Sequence, residues 1–328
     1  MNLIENNNQI QLANHLIPVE ENKEPIEFAN EQLKIFWLPD EIKVEKDIQD
    51  ILVNFSDAER HGVITTLKLF SLYETHAGSE WWAGRFTKIF DGAEFHRMAS
   101  VFSMFELAIH APFYNRINQL LHLDNKEFYL SYQQDAAMSD RMNHIDSMIN
   151  AKDDLVALAA FSMVEGVILY SSFAYLLHYQ AQGNNKIMNI NRGLLFSVKD
   201  ENLHSTAGAW SFQYKKSKDN LSGEQEIVLE NKIREIARTI YEHEVALIAK
   251  IFEKGPIKSI TALQLERFVQ SRINECLSKL GYAKEYDVKS NVISEWFYKS
   301  INNYSFNDVF SGVGSSYHRA WDEEAFDF

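Results

Sequence analysis

The sequence predicts an all-α protein, a helical bundle built around a pair of metal ions, and three observations predict it. Only five prolines and thirteen glycines punctuate 328 residues, so long helices meet few interruptions. Apolar positions recur at intervals of three and four along several segments, the period of one helix face. On those faces stand Glu106-x-x-x-His110, Glu201-x-x-His204, Glu74 and Glu165. Hard divalent metals such as iron and manganese take carboxylate oxygens, and imidazole completes the shell without adding charge. A bundle can hold two such ions with a Glu from each of two helices and a Glu/His pair from each of two others, all facing inward.

The elements follow in chain order. Residues 1–30 are polar and carry no sustained period, so a loose N-terminal arm is expected, leading to a helical domain over 31–304. Ile35-Phe36-Trp37-Leu38-Pro39 is an apolar knot, ended by a proline that pushes its predecessor out of helical geometry. Trp37 is expected to pack on the bundle. From Asp57 to about Phe86, Leu67, Phe70, Glu74 and Ala77 share one face, which places Glu74 on a buried stripe. From about Glu94 to Leu121, Met98, Phe102, Phe105 and Ile109 build a core face, with Glu106, His110 and Tyr114 beside it at intervals of four and a bend at Pro112. Asp153-Asp154 opens an almost wholly apolar helix to about Gln182, interrupted by Glu165. Ile187, Ile190, Leu194, Ser197, Glu201 and His204 repeat at 3, 4, 3, 4 and 3. Helices from about Glu224 to Glu253, stopped by Gly255-Pro256, and from about Ser259 to Leu280, ended by Gly281, read as outer bundle or dimer-contact elements. Residues 305–328 lack a helical period, hold Gly and Ser, and end in Asp-Glu-Glu-Ala-Phe-Asp-Phe, a mobile tail with an aromatic hook.

Composition narrows the function. With 46% apolar and 24% charged residues the chain can bury a large core and is soluble by composition. A formal net charge of −14 excludes nucleic acid as a main partner, because such binders need clustered Lys and Arg. The single Cys276 allows no internal disulfide, and neither a signal peptide nor a run of about 18 apolar residues is found; a cytoplasmic protein without a membrane segment is expected.

A buried glutamate is ordinarily paired with Arg or Lys. Four in one apolar core, on segments with few basic residues on the same faces, would each cost several kcal/mol without a cation. A pair of dications is the simplest compensator. Tyr114 alone would read as a core tyrosine donating one hydrogen bond; its spacing from His110 sets it beside the site. Trp81, Trp82 and the many phenylalanines are assigned to packing.

These residues resemble the small, radical-generating subunit of class I ribonucleotide reductase, a ferritin-like family, over roughly residues 31–328. The resemblance rests on Phe36-Trp37-x-Pro39, the Glu74 helix, Glu106 to Tyr114, Val164-Glu165-Gly166, Asp200-Glu201-Asn202-Leu203-His204, and Val313-Gly314-Ser315-Ser316-Tyr317-His318-Arg319 before an acidic aromatic C-terminus. It implies two metal ions per chain, di-iron, dimanganese or mixed manganese and iron: Glu74, Glu106 and His110 hold one, and Glu165, Glu201 and His204 the other. It implies that Tyr114 falls where a stable radical resides, that Trp37, Asp200 and His110 form a proton-coupled relay, and that Tyr317 passes the oxidising equivalent to the large subunit. The terminal Phe-Asp-Phe is implied to dock that subunit, and the chain to form a homodimer. A carboxylate such as Asp200 suits the relay because it orients a ligating imidazole.

Two positions depart from the family's pattern. The first pair is usually Glu-x-x-His, but Leu107 fills the expected place and Glu106 lies one residue further off. Offsets of three and four keep a pair on one face, about 60° to one side or 40° to the other, and a local π-bulge, common at functional sites, would absorb the extra residue. Glu74 stands where iron-tyrosyl members usually have Asp; members with Glu there resemble manganese-using subclasses, in some of which the tyrosine is not oxidised.

The leading function is therefore an enzyme subunit that stores a one-electron oxidant, for ribonucleotide reduction by a large subunit. A chain with one cysteine cannot carry that reduction alone. The alternatives are another ferritin-like dimetal oxidase, which would need no aromatic tail, and a non-catalytic metal-binding or scaffolding subunit.

Overall fold

The computed structural model of the chain describes residues 13–17, 19–288 and 291–310, with side chains for all of these but 182 and 302–310. The described residues hold no β-strand, only an isolated antiparallel bridge between Ile257 and Ile260. Four helical runs carry the expected ligands. The first, Asp57–His76, continues in wider π geometry through Ala77–Phe86. It starts at a reciprocal cap in which Ser56 Oγ accepts from the Glu59 amide at 3.2 Å and the Ser56 amide donates to the Glu59 carboxylate at 2.8 Å. The second joins Ala93–Phe105, a π turn over Glu106–His110, and Ala111–Leu120. Pro112 falls two residues past that π turn, inside a continuous helical run, where it removes one backbone donor from the ladder.

The third run joins Asp154–Met163, a π turn over Val164–Ile168, and Tyr170–Leu177. Asp153 caps it, accepting from the Leu155 and Val156 amides at 3.0 and 3.3 Å. The stretch Asp154–Leu177 is long and apolar enough to cross a membrane, although the sequence reading counted no such run, but its apolar window is wholly buried by other helices. It is the bundle's core helix. The fourth run, Met188–Asp219, is 32 residues long. Its first amides are satisfied from elsewhere in the chain: Asp50 accepts from the Ile187 amide at 2.9 Å and Asp47 from the Ile190 amide at 2.7 Å.

Gly223–Ile251 packs against the first and third of these runs and Ala262–Lys279 against the third and fourth, each opened by a Ser or Thr cap paired with a glutamine three residues on. Gly281 ends the second of them at φ +85°, letting the Tyr282 amide reach back to the Leu277 carbonyl at 2.9 Å.

The structure corrects two expectations and adds one helix. Residues 23–30 are not a loose arm: Lys23–Lys34 is a helix, with Pro25 in its first turn, that buries Ala29 and Gln32 against the Ala93–Phe105 and Met188–Asp219 helices. At the other end the helix Val292–Phe310 carries regular structure past 304. Ala136–Ile149 is a further helix, capped by Asp135, with Met138, Met142, Ile145 and Ile149 buried at 4, 3 and 4 spacing. That stripe is visible in the sequence. Tyr317 and the terminal Phe-Asp-Phe lie outside the described residues.

Candidate metal centre

Three of the four runs that carry the expected ligands widen to π geometry, and Glu106 and Glu165 lie inside such turns, while Glu74 stands three residues before one. The turn at Glu106–His110 accommodates the unusual spacing. A π turn lengthens the hydrogen-bond step to five residues, so two residues four apart face the same way. Glu106 and His110 are both fully buried, while Leu107, which fills the place expected of the glutamate, is turned outward to 39% exposure.

All six expected ligands converge in the core, none more than 4% exposed. Glu74, Glu106, His110 and Glu201 form one group of possible ligand atoms and Glu106, Glu165, Glu201 and His204 a second, each with its atoms within 4.8 Å of one another. Glu106 and Glu201 thus belong to both. His110 Nδ1 lies 3.0 Å from Glu106 Oε2, 3.1 Å from Glu201 Oε1 and 3.6 Å from Glu74 Oε2. On the other side His204 Nδ1 lies 2.6 Å from Glu106 Oε1 and 3.7 Å from Glu201 Oε2.

The donor set fits two metal ions. Glu74 Oε1, Glu106 Oε1, both Glu201 oxygens and His204 Nδ1 are buried without a hydrogen bond, so even the 2.6 Å approach of His204 to Glu106 lacks hydrogen-bond geometry. Buried polar atoms rarely go unpaired. Four carboxylates would also offset the charge of two dications, leaving both imidazoles neutral. The electrostatics of the protein alone show the same excess of negative charge. Burial, then Glu201 and Glu106, push the Glu74 carboxyl well above the usual range, and the same causes raise Glu165. Burial opposes charge on Glu106, but His110 and His204 overcome it and hold that carboxyl down. Burial likewise opposes charge on His204, and Glu106 with Glu201 outweighs it, raising the imidazole to about 9.

The supporting groups fix the imidazoles. Asp200 Oδ2 accepts from Trp37 Nε1 at 2.9 Å and lies 2.9 Å from His110 Nε2, so a proton on Nε2 leaves Nδ1 as the lone pair facing the carboxylates. Trp37 stacks on His110 at 6.0 Å between ring centroids. Gln32, fully buried, donates to Asp200 Oδ1 at 2.8 Å and turns its oxygen to His204 Nε2 at 3.1 Å, fixing the second imidazole in the same sense. Trp82 Nε1 donates to Glu165 Oε1 at 2.9 Å.

Gln32 and Trp82 escaped the sequence reading. Gln32 fell in the segment read as an arm, although Pro25, Ala29 and Gln32 already show a 4, 3 stripe. Trp82 reads as packing, yet Glu74, Gly78 and Trp82 follow one another at intervals of four. Tyr114 is fully buried between Phe70 and Phe113, at centroid distances of 4.5 and 5.1 Å. Its hydroxyl makes no hydrogen bond of good geometry, although Ser197 lies alongside. Burial, with Glu74 next, raises its pKa well above the ordinary phenol value.

Comparison with known proteins gives the arrangement a family. The family model "Ribonucleotide reductase, small chain" matches residues 14–292. The ribonucleoside-diphosphate reductase subunit beta of Bacillus subtilis is 23% identical over 306 residues, covering 89% of this chain and 88% of that protein. A probable ribonucleoside-diphosphate reductase small subunit of Invertebrate iridescent virus 3 is 24% identical over 306 residues, covering 87% and 79%. Among solved structures, the dimanganese(II)-NrdF of Streptococcus sanguinis superposes with a TM-score of 0.74 at 20% identity, over 84% of this chain and 95% of that one. The R2 subunit of Clostridium botulinum gives 0.73 at 19%, over 86% and 89%. The ferritin-like helical fold is shared with these structures, and the family model spans most of the sequence: the chain belongs to the ribonucleotide reductase small-chain family.

Proposed function

We propose that this chain generates and stores the one-electron oxidant that a separate large subunit uses to reduce ribonucleoside diphosphates. The observation that carries this reading is a fully buried set of four glutamates and two histidines joined, through Asp200, to an oxidisable indole at Trp37. Glu74, Glu106 and His110 would hold one divalent ion, Glu165, Glu201 and His204 the other, with Glu106 and Glu201 placed to serve both. Iron, manganese or one of each suits the oxygen-rich donor set. Such a pair, when bound and oxidised, supplies a one-electron acceptor.

The residues around it do the rest. Phe70 and Phe113 keep water from Tyr114, so its phenol stays protonated until an electron leaves. Asp200 holds the Nε2 proton of His110 and the indole proton of Trp37 on one oxygen, a junction through which proton and electron can move together. Tyr317 is the next carrier toward the large subunit, and the terminal Phe326-Asp327-Phe328 is the peptide that docks there. The chain acts as a homodimer in the cytoplasm, where its one cysteine, buried and unpaired, stays reduced.

The test is Tyr317→Phe, assayed for deoxynucleotide formation with the large subunit. Turnover should vanish while metal content and oxidation stay as in the wild type. Normal turnover in that variant would overturn the relay.

A further inference from the structure

Glu165 stands on the widened turn Val164–Ile168, and two arginines from other helices reach the backbone of that turn. Arg272, on Ala262–Lys279, donates from Nε to the Gly166 carbonyl at 3.0 Å. Arg141, on Ala136–Ile149, donates from Nη2 to the Ile168 carbonyl. Each is 1% exposed, and both rank among the largest fully buried side chains of the protein.

Burying a guanidinium is costly unless it is paired, and an apolar side chain of similar volume often serves packing as well or better. Neither arginine pairs with a ligand carboxylate. Arg141 is neutralised by Glu244, itself fully buried and accepting from Ser171 Oγ at 2.5 Å, and lies 4.9 Å from the Tyr73 ring centroid. Arg272 pairs with Glu275 at 2.7 Å, accompanied by the Tyr298 hydroxyl at 2.9 Å, and stacks 3.8 Å from the centroid of Tyr170. What each adds beyond packing is a directed N–H aimed at a carbonyl of the widened turn. Passing from α to π geometry and back changes the register of the intrahelical ladder, so carbonyls there are open to outside donors.

The turn is also pressed from another side. A Cβ at Gly166 would sit 2.4 Å from Cys276 Sγ and 2.5 Å from Ser205 Oγ, so the backbone next to Glu165 lies as close to those two side chains as glycine permits. The carboxylate of Glu165 is held separately, by Trp82.

We propose that Arg141 and Arg272 are positioning residues that hold the Val164–Ile168 turn in its widened form and so set where Glu165 presents its carboxylate to the second metal position. This rests on the metal-centre reading above and extends it to two residues that touch no ligand side chain. Both act through the backbone, so their removal should weaken one metal position selectively.

The experiment titrates Mn(II) into the full-length protein, with chelator competition to separate the two affinities and electron paramagnetic resonance to follow coupling between bound ions. The variants are Arg272→Gln, Arg272→Lys and the double Arg141→Met/Glu244→Gln, which leaves no carboxylate stranded. Loss of groups that orient metal ligands typically costs about 10–100-fold in metal affinity. Arg272→Gln and the double variant should weaken one position by that factor, leave the other unchanged and reduce the coupling signal; Arg272→Lys, which keeps charge and a donor, should recover part of it. Leu229→Ala, in the Gly223–Ile251 helix, supplies a comparable loss of metal-free thermal stability and should leave both affinities intact. Wild-type affinities in Arg272→Gln and the double variant would overturn the proposal, as would losses at both positions that merely track thermal stability as in Leu229→Ala. A wild-type protein that binds no Mn(II) or Fe(II) would instead overturn the metal centre itself, and the proposal with it.

Discussion

Replacing Asp200 by Asn tests whether one carboxylate sets the protonation of both imidazoles. Asp200 accepts three contacts, from Trp37 Nε1 and His110 Nε2 on Oδ2 and from Gln32 Nε2 on Oδ1. An asparagine has one accepting oxygen. If its amide nitrogen takes the Oδ2 place, it faces two N–H donors, and His110 must move its proton to Nδ1, the atom aimed at Glu74, Glu106 and Glu201. If the nitrogen takes the Oδ1 place, Gln32 must flip, and its NH2 then meets His204 Nε2, pushing that proton onto the Nδ1 aimed at Glu106. Either way one ligand nitrogen loses its free lone pair. A hydrogen bond to a charged group is worth about 1.5–3 kcal/mol, which matches the ~10–100-fold loss of metal affinity expected when such a partner is removed. Metal competition against a chelator, with thermal unfolding of the metal-free protein as a control for folding, measures it. Wild-type affinity at both positions in Asp200→Asn would refute the reasoning.

Other consequences follow from the same geometry. Glu201→Ala, which removes a ligand common to both groups, should abolish binding of both ions, whereas Glu74→Ala should spare one; elemental analysis after desalting reads the difference. Metal-free and metal-loaded protein should diverge with pH. Glu74 and Glu165 have folded pKa values raised above 4.5, and His204 is raised from 6.5 to about 9. Their stabilisation is therefore complete below the unfolded values and is lost as pH rises through the folded ones. The gap in Tm between loaded and metal-free protein should widen from pH 6 to pH 9, and a constant or narrowing gap would count against the assignment. Deleting Phe326 to Phe328 should weaken association with the large subunit while leaving metal loading unchanged, because an aromatic anchor carries a disproportionate share of binding energy; calorimetry of the two subunits checks both.

The sequence made the centre legible because its requirements are periodic. A carboxylate on an apolar stripe, as at Glu74 and Glu201, stands out against a 3-4 pattern, and the interval of four between Glu106 and His110 still keeps that pair on one helix face. Groups that act from outside the ligand helices were less visible. Gln32 and Trp82 are reached across the fold, by contacts separated in sequence by 168 and 83 residues, and although each falls on a helical stripe, a stripe position does not tell a supporting polar group from packing. The first helix was missed for a different reason: Asn22-Lys23-Glu24-Pro25 looks polar and proline-broken, yet a proline in the first turn favours a helix start. Arg141 and Arg272 fall on the apolar stripes of their helices, between Met138 and Ile145 and between Phe268 and Cys276, but only tertiary packing shows which carbonyls they reach.

The central claim is a two-metal oxidant, and it is tested most directly by elemental analysis combined with electron paramagnetic resonance. The protein would be loaded separately with iron and with manganese and exposed to oxygen or peroxide. The account predicts two metals per chain and, after oxidation, either a tyrosyl signal from Tyr114 that Tyr114→Phe removes or an exchange-coupled signal from the metal pair. Fewer than two metals per chain, or two uncoupled ions and no oxidised species under any loading, would contradict it.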